Sequence, residues 1–266
     1  MYKLVCFLAL VAGFSSCGSE AAQATEPTAT ETWRPLFNGR DLSGWTPKFS
    51  GYELGVNYRN TFQVEDGMIR AVYAEYDSFG NAFGHLFYEE PFSDYHLRWE
   101  YRILGDVTTA GAPPWTYKNS GIMYHSQSAE SMGLDQDFPV SLEFQFLAGD
   151  AGDTTARATA NLCTPGTHVV WPDTLTEQHI LPSSAPTFRD ERWVPCELIV
   201  HHDSLIVHIV AGDTVLQYRN PVLGGQFLPE DYTVPVGTPL RKGYLALQAE
   251  GHPVDFRNIE IRLLSQ

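Results

Sequence analysis

Along most of the chain apolar and polar residues alternate with a period of two, and turn residues interrupt the alternation at short intervals. In HLRWEYRI, residues 96–103, Leu97, Trp99, Tyr101 and Ile103 share one face while His96, Arg98, Glu100 and Arg102 share the other. FQVEDGMIR carries Asp66-Gly67 between two such runs, a dipeptide suited to a two-residue hairpin turn. CELIVHHDSLIVHIVAGDTVLQY predicts further strands, broken at Asp203-Ser204 and at Gly212-Asp213. Helical spacing is scarce; residues 126–139 fit a short helix or a loop. Irregular insertions rich in Gly and Pro run over 104–118, 148–190 and 220–242, and ordered loops of that length tend to carry function. The pattern predicts an all-β chain, a jelly-roll β-sandwich with long loop insertions.

A sandwich strand buries one face and wets the other, and Lys, Glu and Thr usually fill the wet face. Several strands here carry amides, carboxyls and imidazoles instead. KNSGIMYHSQ, residues 118–127, places Ile122 and Tyr124 on the core face and Asn119, Met123, His125 and Gln127 opposite. SLEFQFLAGD sets Glu143 and Gln145 against Leu142, Phe144 and Phe146; GYLALQAEG sets Gln248 and Glu250 against Leu245, Leu247 and Ala249. If these strands are neighbours, the polar sets meet on one concave sheet and suit a polyhydroxylated ligand. Each set also reads as an ordinary solvated strand face, and a histidine on a strand is commonly a packing residue. In the insertions Trp115, Tyr117 and Trp171 could stack on a sugar or pin their own loops.

Composition narrows the partners. The 266 residues include 17 Lys and Arg against 32 Asp and Glu, a formal charge of −15, which disfavours nucleic acid because no cationic stripe is present to displace counterions. A neutral or polar ligand fits better. No glycine-rich phosphate loop, G-x-S-x-G elbow or H-E-x-x-H occurs, and GDAGD at 149–153 lacks the spaced carboxylates of a calcium loop. Cys163 and Cys196 stand outside any Cys-x-x-Cys pair, so zinc is disfavoured; an exported chain would permit a disulfide between them.

LFNGRDLSGW (36–45), VEDGMI (64–69), NSGIMYH (119–125), EFQFL (143–147) and LQAEGHPVDFRNIEI (247–261) together, in this order, resemble the domain of unknown function 1080, described as a 3-keto-disaccharide hydrolase domain. TANLCTPGTHVVWP is similar to a subgroup of that family, while Cys196 departs from its usual residue. The resemblance spans about residues 33–264 and implies a concanavalin-like jelly roll, bacterial export and action on 3-keto-glycosides. The residues matching family motifs on a wet face are Asn119, Ser120, Glu143, Gln145, Gln248 and Arg257; Glu250 and His252 stand where the family often has an Asp-His pair.

A ketone at C3 acidifies the C2 proton, so a base can form an enolate that expels the C1 glycosidic oxygen, and water addition then completes a net hydrolysis. That route assigns Glu143 as base, His125 or His252 as acid or enolate partner, and Arg257 as electrostatic support, with Asn119, Gln127, Gln145, Gln248 and Trp115 holding the sugar. A direct hydrolase using Glu143 and Glu250 is the variant, and a divalent metal at the enolate is compatible with either. The competing class is a carbohydrate-binding module without chemistry, since jelly rolls host lectins as readily as enzymes.

The N-terminus carries an address. Lys3 precedes an apolar run too short to span a membrane, and Phe14-Ser15-Ser16-Cys17 resembles a bacterial lipobox. This predicts a signal peptide over 1–16, a lipidated Cys17, a flexible tether over 17–32 and a single jelly-roll domain over 33–266, held at the cell envelope by its lipid alone. Cys17→Ser should move the protein from the membrane fraction to the soluble fraction without unfolding the domain, as read by fractionation and circular dichroism.

Overall fold

The computed structural model describes Met1 and residues 32–265; the signal peptide, Cys17 and nearly all of the tether lie outside the described residues. Seventeen strands follow in order: β1 Arg34–Pro35, β2 Trp45–Phe49, β3 Phe62–Glu65, β4 Met68–Ala71, β5 Gly84–Tyr88, β6 Asp94–Ile103, β7 Asn119–Ser126, β8 Leu142–Leu147, β9 Asn161–Cys163, β10 Thr167–Val170, β11 Leu175–Thr176, β12 Ile180–Leu181, β13 Val194–His201, β14 Leu205–Val210, β15 Asp213–Leu223, β16 Tyr244–Ala249 and β17 Val254–Leu263. They form two antiparallel sheets. A ten-stranded sheet runs β11-β10-β15-β14-β13-β6-β17-β4-β3 with β1 beside β17, and a seven-stranded sheet runs β12-β9-β8-β7-β16-β5-β2. The result is the jelly-roll sandwich that the strand pattern predicts.

Local chemistry sets the turns. Asp66 and Gly67 both have positive φ, 50° and 74°, the two left-handed residues that a tight hairpin between β3 and β4 requires. Ala211 and Gly212 do the same between β14 and β15, at φ 51° and 89°. The 126–139 stretch forms one 3-10 turn, Ala129–Ser131, capped by the Ser128 hydroxyl accepting from the Ser131 amide, and continues as loop.

The core lies between the sheets and is strongly aromatic. Trp99 of β6 meets Phe144 of β8 edge-on at 4.9 Å, and Tyr101 stacks on Phe146 at 3.9 Å, so the inward residues of one long strand are locked to those of the strand facing it. Cys196 is buried in this core whereas Cys163 lies on the outer face of the seven-stranded sheet. Both thiols are free, which corrects the disulfide that export would permit: the two side chains belong to different layers.

On the outer face of the ten-stranded sheet the charged residues of β6 pair across strands. Arg98 bonds Glu260, and Arg257 bonds Glu100 while its guanidinium lies 4.0 Å from the Trp193 ring. Asp255 is fully buried and accepts from Arg70 and Arg102, each at 2.8 Å, tying β4, β17 and β6 together. Asp255→Ala leaves Arg102 without its acceptor and Arg70 with Glu65 alone, and should cost about 2–3 kcal/mol in urea unfolding.

Candidate active site

The outer face of the seven-stranded sheet is covered rather than open. Every residue of β7 is buried, although alternation predicts a wet face for half of them. The reason lies in the insertions: Trp115 from 104–118, Arg157 and His179 from 148–190, and Phe227 from 220–242 fold over this face, with Phe138 beside them. They wall a cavity of about 710 Å³ whose floor is the sheet.

Strand register decides what meets there. Glu143 lies opposite Met123 on one side and Cys163 on the other; Gln145 lies opposite Gly121 and Asn161. β16 pairs with β7 through Leu247 opposite Ile122, which brings Gln248 and Glu250 to the same floor. Gly121 has a specific part: a Cβ there would fall 2.5 Å from Glu143 Oε1 and 2.8 Å from its Cγ. The missing side chain lets the Glu143 arm lie across β7 toward β16.

Glu143 and Glu250 are 6% and 2% exposed, and the two carboxyls are electrostatically linked. Burial pushes the Glu143 carboxyl up to about 8, with the Cys163 thiol the only group working the other way. Burial and then repulsion from Glu143 push Glu250 well above the usual carboxylate range. Both carboxyls therefore hold their protons more tightly than free glutamates do, and ionising one opposes ionising the other. The Cys163 thiol is itself pushed well up by burial and by the two carboxyls, so it stays S–H.

Three oxygens on this floor lack a donor: Asn119 Oδ1, Gln248 Oε1 and Glu250 Oε1. Asn119 donates to the Trp115 carbonyl at 3.2 Å, and Gln145 Oε1 accepts from Asn161 at 3.2 Å, which leaves the Gln145 amide nitrogen for a ligand. Trp115 is 51% exposed and stacks at 5.6 Å on Phe83, its plane inclined by only 8°, giving the cavity a flat apolar wall. Arg157 is the cavity's one Lys or Arg and is held by the Tyr117 carbonyl at 2.6 Å.

Residues 32–262 match the 3-keto-alpha-glucoside-1,2-lyase-like domain. The chain belongs to that family. A candidate glycosyl hydrolase from Parabacteroides distasonis is 20% identical, with 88% of this chain and 94% of that one covered at a TM-score of 0.52. A second from the same organism is 17% identical, covering 88% and 100% at 0.52. A Bacillus subtilis protein with a galectin-like fold is 12% identical, covering 87% and 94% at 0.52. At such identities the likeness is one of fold. No curated protein matches the chain.

Within this lyase-like domain the structure brings together Glu143, Glu250, Gln145, Gln248, Asn119 and Trp115, and sends the other candidates elsewhere. A bulge faces Tyr124 and His125 against Leu245 alone; His125 takes φ 46°, and its Nε2 donates to the His202 carbonyl at 2.9 Å, away from the floor. Gln127 is spent within its loop, accepting from the Val140 and Gln136 nitrogens. Met123 packs in an apolar cluster with Phe87 and Met132 rather than facing water. Ser120 donates to the Gln248 carbonyl at 3.0 Å, and His252 is buried edge-on to Tyr117 outside the cavity. Arg257 is on the opposite sheet. Among the described residues no group of three or more His, Cys, Asp or Glu is placed to hold the divalent metal that the sequence reading allows.

Sequence reasoning missed Asn161, Arg157, His179, Phe138 and Phe227 as site residues. The alternation in Asn161-Leu162-Cys163 was a usable signal, since register sets Asn161 and Cys163 beside Gln145 and Glu143. Arg157 and His179 come from irregular chain with no period to read.

The two glutamates are easier to protonate folded than unfolded, so their contribution is intact below about pH 4.5 and is lost as pH rises toward about 8. Glu143→Gln removes the penalty. Its melting temperature relative to wild type should therefore rise between pH 5 and pH 8, on the order of 5 °C by calorimetry.

Proposed function

We propose that this domain cleaves 3-keto-glycosides by removing the C2 proton and eliminating the C1 oxygen, with hydration of the product completing a net hydrolysis. The observation that carries it is the buried, electrostatically linked pair Glu143 and Glu250 on a floor of unpartnered acceptors. A saccharide supplies the hydroxyl donors that Asn119 Oδ1 and Gln248 Oε1 lack, and its apolar ring face suits Trp115. The match to a 3-keto-alpha-glucoside-1,2-lyase-like domain supports that choice of substrate class.

Glu143 is the base, since the Cys163 S–H beside it favours its anion. It takes the C2 proton, the C–H electron pair forms the C2–C3 double bond, and the ketone pair moves onto the C3 oxygen. That pair then returns as the C1–O bond breaks, and Glu250, whose proton is held by burial and by repulsion from Glu143, gives that proton to the departing oxygen. The products are an alcohol and a C1–C2 enone, to which water adds at C1 with a proton at C2. The Gln145 amide and Arg157 are the donors that line the cavity for the oxygen that gains charge.

The binding-module reading has one observation in its favour, the exposed Trp115 platform. Sugar binding alone gives no reason for two carboxyls to be buried against each other, because each raises the cost of ionising the other. On the leader-like segment alone, the proposal sets the enzyme at the cell envelope, anchored by a lipid on Cys17.

In deuterated water, hydrolysis of a 3-keto-glucoside should leave deuterium at C2 of the released sugar, whereas direct displacement at C1 would leave that position to background exchange. Glu143→Gln should lower turnover by about 10²–10⁴-fold while an unoxidised glucoside still binds, measured by product chromatography and calorimetric titration. Binding without turnover in the wild type across several keto-sugars would favour the module.

A further inference from the structure

The row of side chains that contains Gln248 does not stop at the cavity wall. In β5 His85 lies directly opposite Gln248, and in β2 Lys48 lies opposite His85, on the face that carries Gln145 and Asn161 further along. The polar row thus crosses the sheet, and the cavity exposes only part of it.

His85 is fully buried, and neither of its ring nitrogens has a hydrogen-bond partner. Lys48, its neighbour, cannot supply one: its ammonium donates to the carbonyls of Phe49, Tyr52 and Leu134 at 2.8, 3.0 and 3.0 Å, and so has no proton left. An imidazole with two idle nitrogens in a packed site is costly where an apolar ring would fit as well. Two rings pack on it, Phe87 of its own strand at 6.2 Å and Phe138, which stands edge-on to the imidazole at 6.1 Å. Phe138 is itself a cavity wall, half-buried, and belongs to a stretch without regular structure. Its other neighbours are the rings of Phe83 at 5.0 Å, Phe227 at 5.6 Å and Trp115 at 6.2 Å; Phe227 is 52% exposed and holds a left-handed φ of 66°. The Phe138 ring thus touches both the unsatisfied imidazole and the cavity.

We propose that His85 is a substrate-contacting residue, reached when the Phe138 ring swings aside, and that its ring N–H donates to the C3 oxygen as that oxygen takes up charge. This rests on the elimination reading above. His85 keeps its proton throughout: as the C2–H pair forms the double bond, negative charge appears on the C3 oxygen and is stabilised by the hydrogen bond, and it leaves that oxygen when the C1–O bond breaks. Burial, with Lys48 nearby, holds the imidazole pKa down to about 3, so the ring is neutral at working pH and acts as a donor without adding charge to the sheet.

His85→Phe retains an aromatic ring and removes both nitrogens. In the full-length protein acting on a 3-keto-glucoside, kcat should fall by about 10²–10³-fold, the affinity for the unoxidised glucoside should hold within a few-fold, and the melting temperature should stay level or rise. A packing histidine would instead leave kcat unchanged, and that result overturns the proposal. Should the variant fail to fold, the imidazole nitrogen resonances of wild-type His85 decide: they should shift on adding the 3-keto-glucoside and not on adding buffer, and an unmoved signal overturns the proposal equally. A wild type inactive on all 3-keto-glycosides refutes the elimination reading and the role of His85 with it. An active wild type with an equally active His85→Phe refutes the role of His85 alone.

Discussion

Desolvation of the outer face of the seven-stranded sheet is the constraint on which the rest of the structure depends. A carboxyl removed from water loses several kcal/mol of hydration unless a partner replaces it, and Glu143 and Glu250 have each other instead of a cation. Both respond by holding protons more tightly. The amides beside them meet the same constraint with unpaired acceptors, Asn119 Oδ1 and Gln248 Oε1. A face built this way is incomplete without a ligand rich in hydroxyl donors.

Two kinds of chain share the work. The strands supply the rigid floor, because the aromatic contacts of Trp99 and Tyr101 with Phe144 and Phe146 lock β8 from behind while register fixes which side chains stand abreast in front. The insertions supply the walls and exclude water, and so cause the shifted proton affinities of residues they need not touch. Gly121 links the two. By leaving room above β7 it lets a side chain of β8 reach the row that belongs to β16.

Histidines show how little residue type says about role in such a fold. His125 is turned out by a bulge, His252 is packed against Tyr117, and His179 lines the cavity from an insertion. His208 sits in the core, its Nδ1 donating to the Ala160 carbonyl at 2.9 Å, with the Tyr124 and Tyr218 hydroxyls at its Nε2. The same side chain is thus a turn anchor, a packing ring, a cavity wall and a core linker, according to neighbours that are remote in sequence.

Period-two alternation by itself determined the all-β sandwich, the inward set of β6 and β8, and the Asp66-Gly67 hairpin, because strand faces and tight turns follow from residues a few positions apart. It also isolated Glu143, Gln145, Gln248 and Glu250 as an unusual polar set, since side-chain direction in a regular strand is a local property. Tertiary structure alone decided that these four share one floor, that the floor is buried under the insertions, and that Arg257 is on the other sheet. Strand order and loop docking join residues more than a hundred positions apart, and a pattern of period two contains no term for that distance. The bulge at His125 was equally beyond it, for a single extra residue reverses the face of a side chain while leaving the alternation intact on paper.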